Sequence, residues 1–471
     1  MIRLSDRVLP APRRGELPDA PPLRRMLGPS IILLGLSIGS GEFVLWPRLT
    51  AEWGFGLFWA CWLGATMQFF INMEVERYTL ATGESAVVGF VRASRIWGPV
   101  FFACGVVPWI WPGWATGAGT LLSWEVGGSP VVYAVLGLFA CGAALTLSPV
   151  VYRFTEIVQT LLVATIFALV ALLAVLVIRS DSLLALAAGA FRFGYVPDGI
   201  HLPALLGALA FAGAGGTVNL AQSNYIKDKG YGMGRYIGRI TSPFTGREEA
   251  ESSIGCVFDD AAESRARWAR WWRRANVEHF LSFYVLCVLS LALFCLLTHA
   301  LIGTGAGAIG GGDFEFIAHQ GAPLEARFGG WAKHVFFGAG FAVLLSTELA
   351  VLDAVTRVVT DLVKVSPVLR DREEWTITRI YFVVLWSMIG FGVLVLALGM
   401  QRPLQLLVLS AALNAVVMFL YSGLLLWVNW TSFRPPLRPS ALRVVALLGA
   451  FAFFGYFSLV TLFEELPKLV G

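Results

Sequence analysis

Two short glycine-rich stretches place polar residue types inside otherwise apolar sequence. Residues 36–43 read Leu-Ser-Ile-Gly-Ser-Gly-Glu-Phe, and residues 211–219 read Phe-Ala-Gly-Ala-Gly-Gly-Thr-Val-Asn. Each glycine costs up to about 1 kcal/mol relative to alanine inside a helix, and a lipid-facing carboxylate costs about 3 kcal/mol more. We therefore predict that a helix unwinds in each stretch. Freed amides at such a break attract anionic groups, and freed carbonyls coordinate cations.

The candidate substrate-binding residues are the glycine and polar positions of these two stretches. Close helix packing is the alternative explanation for the glycines of either stretch alone. Interruptions at corresponding places in two halves of a chain instead indicate a binding site near the middle of a membrane. Glu42 and Asn219 are also the candidate metal ligands, because their oxygens suit a hard cation. The predicted substrate-binding residues are Gly39, Ser40, Gly41, Glu42, Gly213, Gly215, Gly216, Thr217 and Asn219.

Further polar residues lie in the apolar run of residues 333–362. Asp353 and Arg357 stand four residues apart, about one helical turn, so we expect them to pair. In the same run two hydroxyls could complete a Na+ site with first-helix carbonyls, and one glutamate lacks a local partner. An asparagine in a later run is either a gating amide or a simple interhelical bond. The predicted coupling or gating residues are Ser346, Thr347, Glu348 and Asn414, with H+ or Na+ as coupling ion and no other cofactor.

Helices in a membrane must position these residues. The 471 residues are 57% hydrophobic and 14% charged, which is too apolar for a solvated globular surface. Runs of about 20 apolar residues, enough to cross a hydrocarbon core of about 30 Å, recur along the chain, whereas strand-like alternation does not. We therefore predict an all-α integral membrane protein with about eleven transmembrane helices. The predicted spans are residues 28–50, 55–80, 97–123, 130–148, 153–178, 203–224, 277–301, 333–362, 376–399, 403–429 and 442–464.

The two interrupted spans divide the chain into two halves. Residues 28–178 form a first repeat of five spans and residues 203–429 a second, each opening with its broken helix. Residues 1–27 form a tail, residues 225–276 an insertion after the sixth span, and residues 442–464 an additional eleventh span. This arrangement predicts an inverted repeat of five plus five helices.

Basic residues orient the chain in the membrane. The loops on the N-terminal side hold about 26 Lys and Arg and the opposite loops about seven, which predicts a cytoplasmic N-terminus in the cell membrane. Residues 265–274, at the end of the insertion, alternate Arg and Trp. We expect them to form an interfacial helix, with rings at headgroup level and cations toward anionic lipid, and not a nucleic-acid surface.

The sequence lacks the residues that several classes of function require. A nucleophile with its base, a metal-ligand cluster and a glycine-rich phosphate loop are all missing, so neither an enzyme nor an ATP-driven pump is predicted. A receptor or scaffold that kept a transporter's fold stays open, because sequence does not show turnover. The predicted partners are the lipid bilayer and a small ion or small molecule.

The chain resembles the Nramp-type metal transporters, a family within the superfamily that shares the LeuT-type fold. The resemblance runs over most of the chain and is strongest in residues 27–92. The residues that carry it are Gly28-Pro29, Trp53-Gly-Phe-Gly56, Ala81-Thr-Gly-Glu84, Arg153, Glu156 and Asn219-Leu220. It implies a LeuT-type inverted repeat that moves a divalent cation by alternating access.

The chain departs from that family at the residues that would bind the metal. The family's Asp-Pro-Gly-Asn motif falls on Gly-Ser-Gly-Glu at residues 39–42, and its Met-Pro-His-Asn motif falls on Gly-Thr-Val-Asn at residues 216–219. Loss of the Met removes a soft ligand for transition metals, and loss of the His removes a proton carrier. Residues 107–114 of the third span also carry no acid. These departures count against transport of manganese or iron and favour a hard cation such as Mg2+, although the carboxylate of Glu42 would suit Mg2+ or Mn2+.

A second resemblance gives a rival substrate class. The sequence Gly39-Ser40-Gly41 is similar to the first-helix signature of amino-acid permeases of the same general fold, in which exposed amides hold a substrate carboxylate. Glu42 suits both interpretations, since it could bind a hard cation, an amino group or a coupling proton. We therefore expect a secondary transporter of a hard divalent cation or, alternatively, of an amino acid or other small carboxylate.

Overall fold

The structure is a computed structural model that describes residues 1–244, 252–310 and 313–470, without the side chains of Ser40, Ala174, Ala306 and residues 464–470. It is predominantly helical in that part of the chain. The helices before the insertion are α1 (Pro29–Ser37), α2 (Trp46–Trp53), α3 (Phe58–Thr82), α4 (Ala86–Ala93), α5 (Trp97–Val106), α6 (Gly113–Val126), α7 (Pro130–Leu147), α8 (Val151–Val177), α9 (Ser180–Ala190), α10 (Leu202–Ala210) and α11 (Gly216–Lys229).

The second half of the chain continues the bundle. Its helices are α12 (Ala262–His279), α13 (Leu286–Ile302), α14 (Ala306–Ile309), α15 (Glu315–Phe328), α16 (Gly330–Lys364), α17 (Ile377–Ala397), α18 (Pro403–Ser432) and α19 (Ala441–Val470). Two π-helical segments (Ile38–Leu45 and Phe280–Val285), three short 3-10 helices (Leu23–Arg25, Gly54–Leu57 and Gly232–Tyr236) and the strands β1 (Arg13–Arg14) and β2 (Cys256–Val257) complete the described elements.

The chain is a multi-pass membrane protein. Among the described residues, eight helical stretches are long and apolar enough to cross a membrane: Pro29–Thr82, Pro130–Leu147, Val151–Val177, Ala262–Ile302, Gly330–Lys364, Ile377–Ala397, Pro403–Ser432 and Ala441–Phe463. The first of these is 54 residues long and turns at Gly54, where φ is +68°, so it makes two passes. The split pairs α5–α6 and α10–α11 supply the third and sixth spans. The all-α membrane fold is thus confirmed with eight or more apolar helices, and the count of about eleven spans stays a prediction.

The first span is interrupted in a different form from the one expected. Residues Ile38–Leu45 adopt a π-helix between α1 and α2, so the chain changes its hydrogen-bond register but stays helical. The expected unwinding with freed amides is wrong for this span. A π-bulge tolerates the two glycines and often marks a functional position.

The sixth span is fully broken, as predicted. Helix α10 ends at Ala210 and α11 begins at Gly216. Between them Gly213 and Gly215 have φ values of +152° and +75°, which residues other than glycine rarely adopt. The glycines therefore permit the break directly.

A third interruption was not predicted. The expected span of residues 97–123 is two helices, because α5 ends at Val106 and α6 begins at Gly113. Two prolines, Pro108 and Pro112, lie in the intervening segment, where they remove backbone donors and clash with a continuing helix.

The insertion starts later than residue 225, because α11 continues to Lys229. Its last turn can hold charged residues inside the protein since they pair there: Lys227 contacts Asp361 at 2.8 Å, and Asp228 contacts Arg357 at 2.5 Å. Both pairs link α11 to α16. Sequence alone placed these charges in a loop because it did not show their partners.

The N-terminal tail covers one end of the bundle. Strand β1 pairs in parallel with β2, and the amide of Arg434 donates to the carbonyl of Met1 at 2.9 Å. The tail also covers α12, where Trp271 donates to the carbonyl of Pro18 at 2.6 Å. Trp268 and Trp271 are both only 2% exposed, so the expectation that these rings lie at lipid headgroup level is wrong.

Candidate functional site

The break in the sixth span is held by a glutamine of the second span. Gln68 of α3 donates from Nε2 to the carbonyl of Ala210, the last residue of α10, at 2.8 Å. Its Oε1 accepts from the amide of Gly215 at 2.9 Å. One buried side chain therefore pairs with backbone groups on both sides of the gap, which a continuous helix would have paired internally.

Asn219 extends this polar group toward the tenth span. Its Nδ2 donates to Oε1 of Gln68 at 3.2 Å and to the hydroxyl of Tyr421 at 3.1 Å. The residue is fully buried, and its Oδ1 has no hydrogen-bond partner among the described residues. A buried acceptor without a partner is costly, so Oδ1 is available to a ligand.

Aromatic rings line the same break. Trp109 stacks on Trp114 with centroids 5.7 Å apart, and Phe211 lies 6.0 Å from each of them. Nε1 of Trp109 donates to the hydroxyl of Thr217 at 2.6 Å, whereas Nε1 of Trp114 has no partner among the described residues. The break in the third span places both tryptophans here, because Trp109 lies in it and Trp114 in the first turn of α6.

The first-span glycines serve close packing. A Cβ at Gly41 would overlap the carbonyl of Phe211, and a Cβ at Gly39 would overlap the hydroxyl of Thr347. Gly216 packs similarly against the carboxamide of Asn414. The predicted stretches thus meet each other, and the packing explanation accounts for these three positions. The side chain of Ser40 lies outside the described part of the chain.

Glu42 is buried beside the seventh span. Its Oε1 accepts from the hydroxyl of Ser37 at 2.6 Å, and Ser290 and Cys287 of α13 lie close enough to interact with it. Oε2 makes no hydrogen bond of normal geometry with the described residues. The hydrogen-bond partners of Glu42 are therefore different from those of Asn219. Among residues the structure describes, no group of three or more His, Cys, Asp or Glu could hold a metal ion.

The predicted coupling residues of α16 contact two different helices, α1 and α6. The hydroxyl of Thr347 donates to the carbonyl of Gly35 at 3.2 Å, the type of contact expected for it, whereas the hydroxyl of Ser346 bonds within its own helix. Oε2 of Glu348 accepts from the amide of Ala115 at 3.2 Å, at the start of α6. A carboxylate is favourable there, because a helix begins with unpaired amides.

Asn414 lies at the sixth-span break. Its Nδ2 donates to the carbonyl of Ser410 at 3.0 Å. Its Oδ1 is a second buried acceptor that has no partner in the described structure. Asn414 and Asn219 thus each direct one available oxygen into the region around α11.

The predicted pair of Asp353 and Arg357 forms at 2.8 Å within α16 and belongs to a larger buried group. Arg357 also contacts Asp228 of α11 at 2.5 Å, and the hydroxyl of Tyr381 donates to Asp353 at 2.6 Å. This group links α11, α16 and α17 on the tail side of the break.

Sequence reasoning missed five residues of the site: Gln68, Trp109, Trp114, Phe211 and Tyr421. Gln68 was visible as an amide in an apolar run, Phe211 stood at the edge of the predicted glycine-rich stretch, and the prolines around Trp109 signalled the third break. Trp114 and Tyr421 gave no signal, because an aromatic residue in a membrane helix usually faces lipid or a neighbouring helix.

Comparison with known proteins gives fold-level relatives only. No family model matches the chain, and no curated protein matches it. The Eremococcus coleocola manganese transporter, solved in complex with an aromatic bis-isothiourea substituted compound, matches with a TM-score of 0.69 and 13% identity, over 100% of this chain and 92% of that one. A mutant of that transporter gives a TM-score of 0.68 at 13% identity, with the same coverage.

A second fold relative is Mhp1, a nucleobase-cation-symport-1 family transporter in a closed conformation with bromovinylhydantoin bound. It matches with a TM-score of 0.53 and 12% identity, over 96% of this chain and 95% of that one. Identities this low carry information on fold alone. The resemblance seen in the sequence is confirmed at that level: the chain has the LeuT-type fold, in common with the Nramp-type manganese transporter and with Mhp1.

Proposed function

We propose that this chain is a secondary transporter that carries a small organic carboxylate, such as an amino acid, by alternating access. The observation that supports the proposal most is the composition of the sixth-span break. Three aromatic rings, two amide oxygens without partners among the described residues and a helix start converge there. Apolar rings combined with a few placed polar groups are typical of sites for organic molecules.

Helix α11 offers the place for a substrate carboxylate. Its first amides, from Gly216 onward, have no partner within the helix, and the helix dipole favours negative charge at this end. This moves the expected carboxylate position from Gly39-Ser40-Gly41 to the start of α11, because the first span stays helical. The oxygens of Asn219 and Asn414 would then accept hydrogen bonds from an ammonium or amide group of the substrate.

The rings would bind the rest of the substrate. Trp109 and Trp114 present stacked faces and Phe211 closes the group, so a planar or apolar portion would gain about 1 kcal/mol or more from each ring contact. One fold relative was solved with a hydantoin bound, so this fold accommodates organic ligands.

Coupling is proposed to involve Glu42. A buried carboxylate beside Ser37 and Ser290, whose Oε2 makes no hydrogen bond of normal geometry with the described residues, can hold a proton or a cation in one state and release it in another. Thr347 and the carbonyl of Gly35 are the alternative place for a coupling Na+. The two halves, residues 28–178 and 203–429, would rock about these contacts, with the N-terminus in the cytoplasm.

A hard divalent cation is the second candidate substrate. Glu42 favours it, because a buried carboxylate oxygen is a ligand that Mg2+ or Mn2+ prefers, and Oε2 makes no hydrogen bond of normal geometry with the described residues. One fold relative is a manganese transporter. Glu42 and Asn219 share no hydrogen-bond partner in the described part of the chain, so a cation at Glu42 would complete its shell with backbone carbonyls and water.

Thermal unfolding of the purified protein against Mg2+, Mn2+, Na+ and a panel of amino acids tests the proposal, since a ligand that prefers the folded state raises the apparent stability. We expect a shift with an amino acid that is lost in Trp109→Leu and Asn219→Ala. The matched control is Trp331→Leu, because Trp331 is 60% exposed at the start of α16. A shift confined to Mg2+ or Mn2+ and lost in Glu42→Gln would contradict the organic substrate.

Uptake into proteoliposomes then separates a transporter from a receptor. The compound that stabilises the protein should accumulate inside vesicles when a proton or Na+ gradient is imposed. Binding without uptake under either gradient would contradict the transporter function and support a receptor on this fold.

A further inference from the structure

A groove lies at one end of the bundle, away from the sixth-span break. It has a volume of about 700 Å³ and runs between the start of α5 and the end of α16. The residues of the tail and of the loop after α16 complete its walls, including Val8 and Arg370. We call it the tail-side groove.

The walls of the groove are mainly apolar and face outward. Phe102 of α5 is 43% exposed and Val368 is 68% exposed, and both line it. Exposed large apolar side chains at the end of membrane-spanning helices are normally covered by lipid chains. These exposed apolar walls lie at the end of α16, a helix long and apolar enough to cross a membrane.

Two arginines give the groove its charge. Arg95 stands two residues before α5 and lines the groove, and its side chain has no ion pair or hydrogen bond with the described residues. Arg370 lines the opposite wall, where it donates to the carbonyl of Val8 at 3.0 Å and contacts the exposed Asp371 at 3.3 Å. The groove thus carries a net positive charge beside an apolar channel.

We propose that the tail-side groove binds an anionic phospholipid, with the phosphate group at Arg95 and Arg370 and one acyl chain along Phe102 and Val368. The charge complementarity selects the headgroup, and the exposed apolar wall selects a molecule with a hydrocarbon chain. Basic pockets between transmembrane helices are the usual binding sites for anionic headgroups. Such a lipid would join α5, α16 and the tail, and it is independent of the substrate carried at the break.

Thermal unfolding in neutral detergent tests this site with three probes: dioleoylphosphatidylglycerol, dioleoylphosphatidylcholine and sn-glycerol 3-phosphate. We expect phosphatidylglycerol alone to stabilise the protein strongly, and Arg95→Gln to weaken its apparent affinity about tenfold. The control is Arg379→Gln, an exposed arginine at the start of α17 that does not line the groove. Equal stabilisation by the two lipids would overturn the proposal, because only the chains would then be bound.

Two further outcomes complete the test. Stabilisation by glycerol 3-phosphate as strong as that by phosphatidylglycerol would also overturn it, because the site would then bind a free phosphate group. Val368→Asp provides a second variant, since an exposed side chain can change without loss of folding. It should abolish the effect of phosphatidylglycerol, and retention of that effect would contradict the assignment.

Discussion

Gln68 shows how a single side chain can decide the shape of the site. The break in the sixth span leaves backbone groups of Ala210 and Gly215 without their helical partners, and the carboxamide of Gln68 pairs with both. It also fixes Asn219, whose free Oδ1 is a proposed substrate contact. An amide is suited to this place, because it offers a donor and an acceptor on one planar group.

We predict that Gln68→Leu lowers the free energy of unfolding by about 2 kcal/mol or more. The reason is that the substitution leaves a buried carbonyl, a buried amide and the Asn219 amide without this partner, at about 1 kcal/mol or more for each. Thermal unfolding in detergent measures the change, with the exposed Gln405 substituted in the same way as the control. Equal melting temperatures for the two variants would contradict the bridging role.

At the scale of elements, the contact between the first and sixth spans depends on one glycine. The Phe211 carbonyl, at the start of the break, approaches Gly41 so closely that a Cβ there would overlap it. Glycine at position 41 is therefore needed for close packing against Phe211, in addition to its effect on the local helix. It sets the distance between the two helices that carry the proposed binding residues.

Gly41→Ala is predicted to destabilise the protein by about 2 kcal/mol, because the overlap is with backbone and not with a flexible side chain. Gly390→Ala is the matched control: Gly390 is exposed inside α17, and a Cβ there would meet nothing within 4 Å. Alanine is favoured over glycine in a helix, so the control should be neutral or up to about 1 kcal/mol more stable. Thermal unfolding of both variants measures the difference; destabilisation by the control as large as that by Gly41→Ala would refute the close approach.

The spans and the sixth-span break could be predicted from sequence because they depend on local properties. Apolar run length identifies a membrane helix, and three glycines within four residues make a break at residues 213–216 favourable. The form of the first interruption could not be predicted, because Gly39 and Gly41 pack closely against residues of other spans, which the local sequence does not show. The same holds for Lys227 and Asp228, whose partners lie more than a hundred residues along the chain.

At the scale of the whole molecule, the N-terminal tail is hydrogen-bonded to residues from both halves of the chain. Its Arg3 amide donates to the carbonyl of Ser432 at 2.8 Å, and Arg370 reaches the carbonyl of Val8. Arg92, after the second span, donates to the tail carbonyls of Ser5 and Pro10 at 2.8 and 2.9 Å. An alternating-access cycle would have to open this end of the bundle, so these bonds must break or move with the helices.

Arg92 is the residue through which this attachment can be tested. It is 2% exposed and is paired with Glu84, so its guanidinium is fixed where three tail carbonyls can accept from it, the third being that of Leu9. We predict that Arg92→Gln raises hydrogen exchange of the amides in residues 5–14 at least about tenfold, because hydrogen bonds to a charged donor are worth about 1.5 kcal/mol or more each. Arg24→Gln, at an exposed tail position, should leave that exchange unchanged. If both variants exchange at the rate of the unaltered chain, the tail is held by β1, β2 and its apolar contacts, and opening of this end must then proceed with the tail attached.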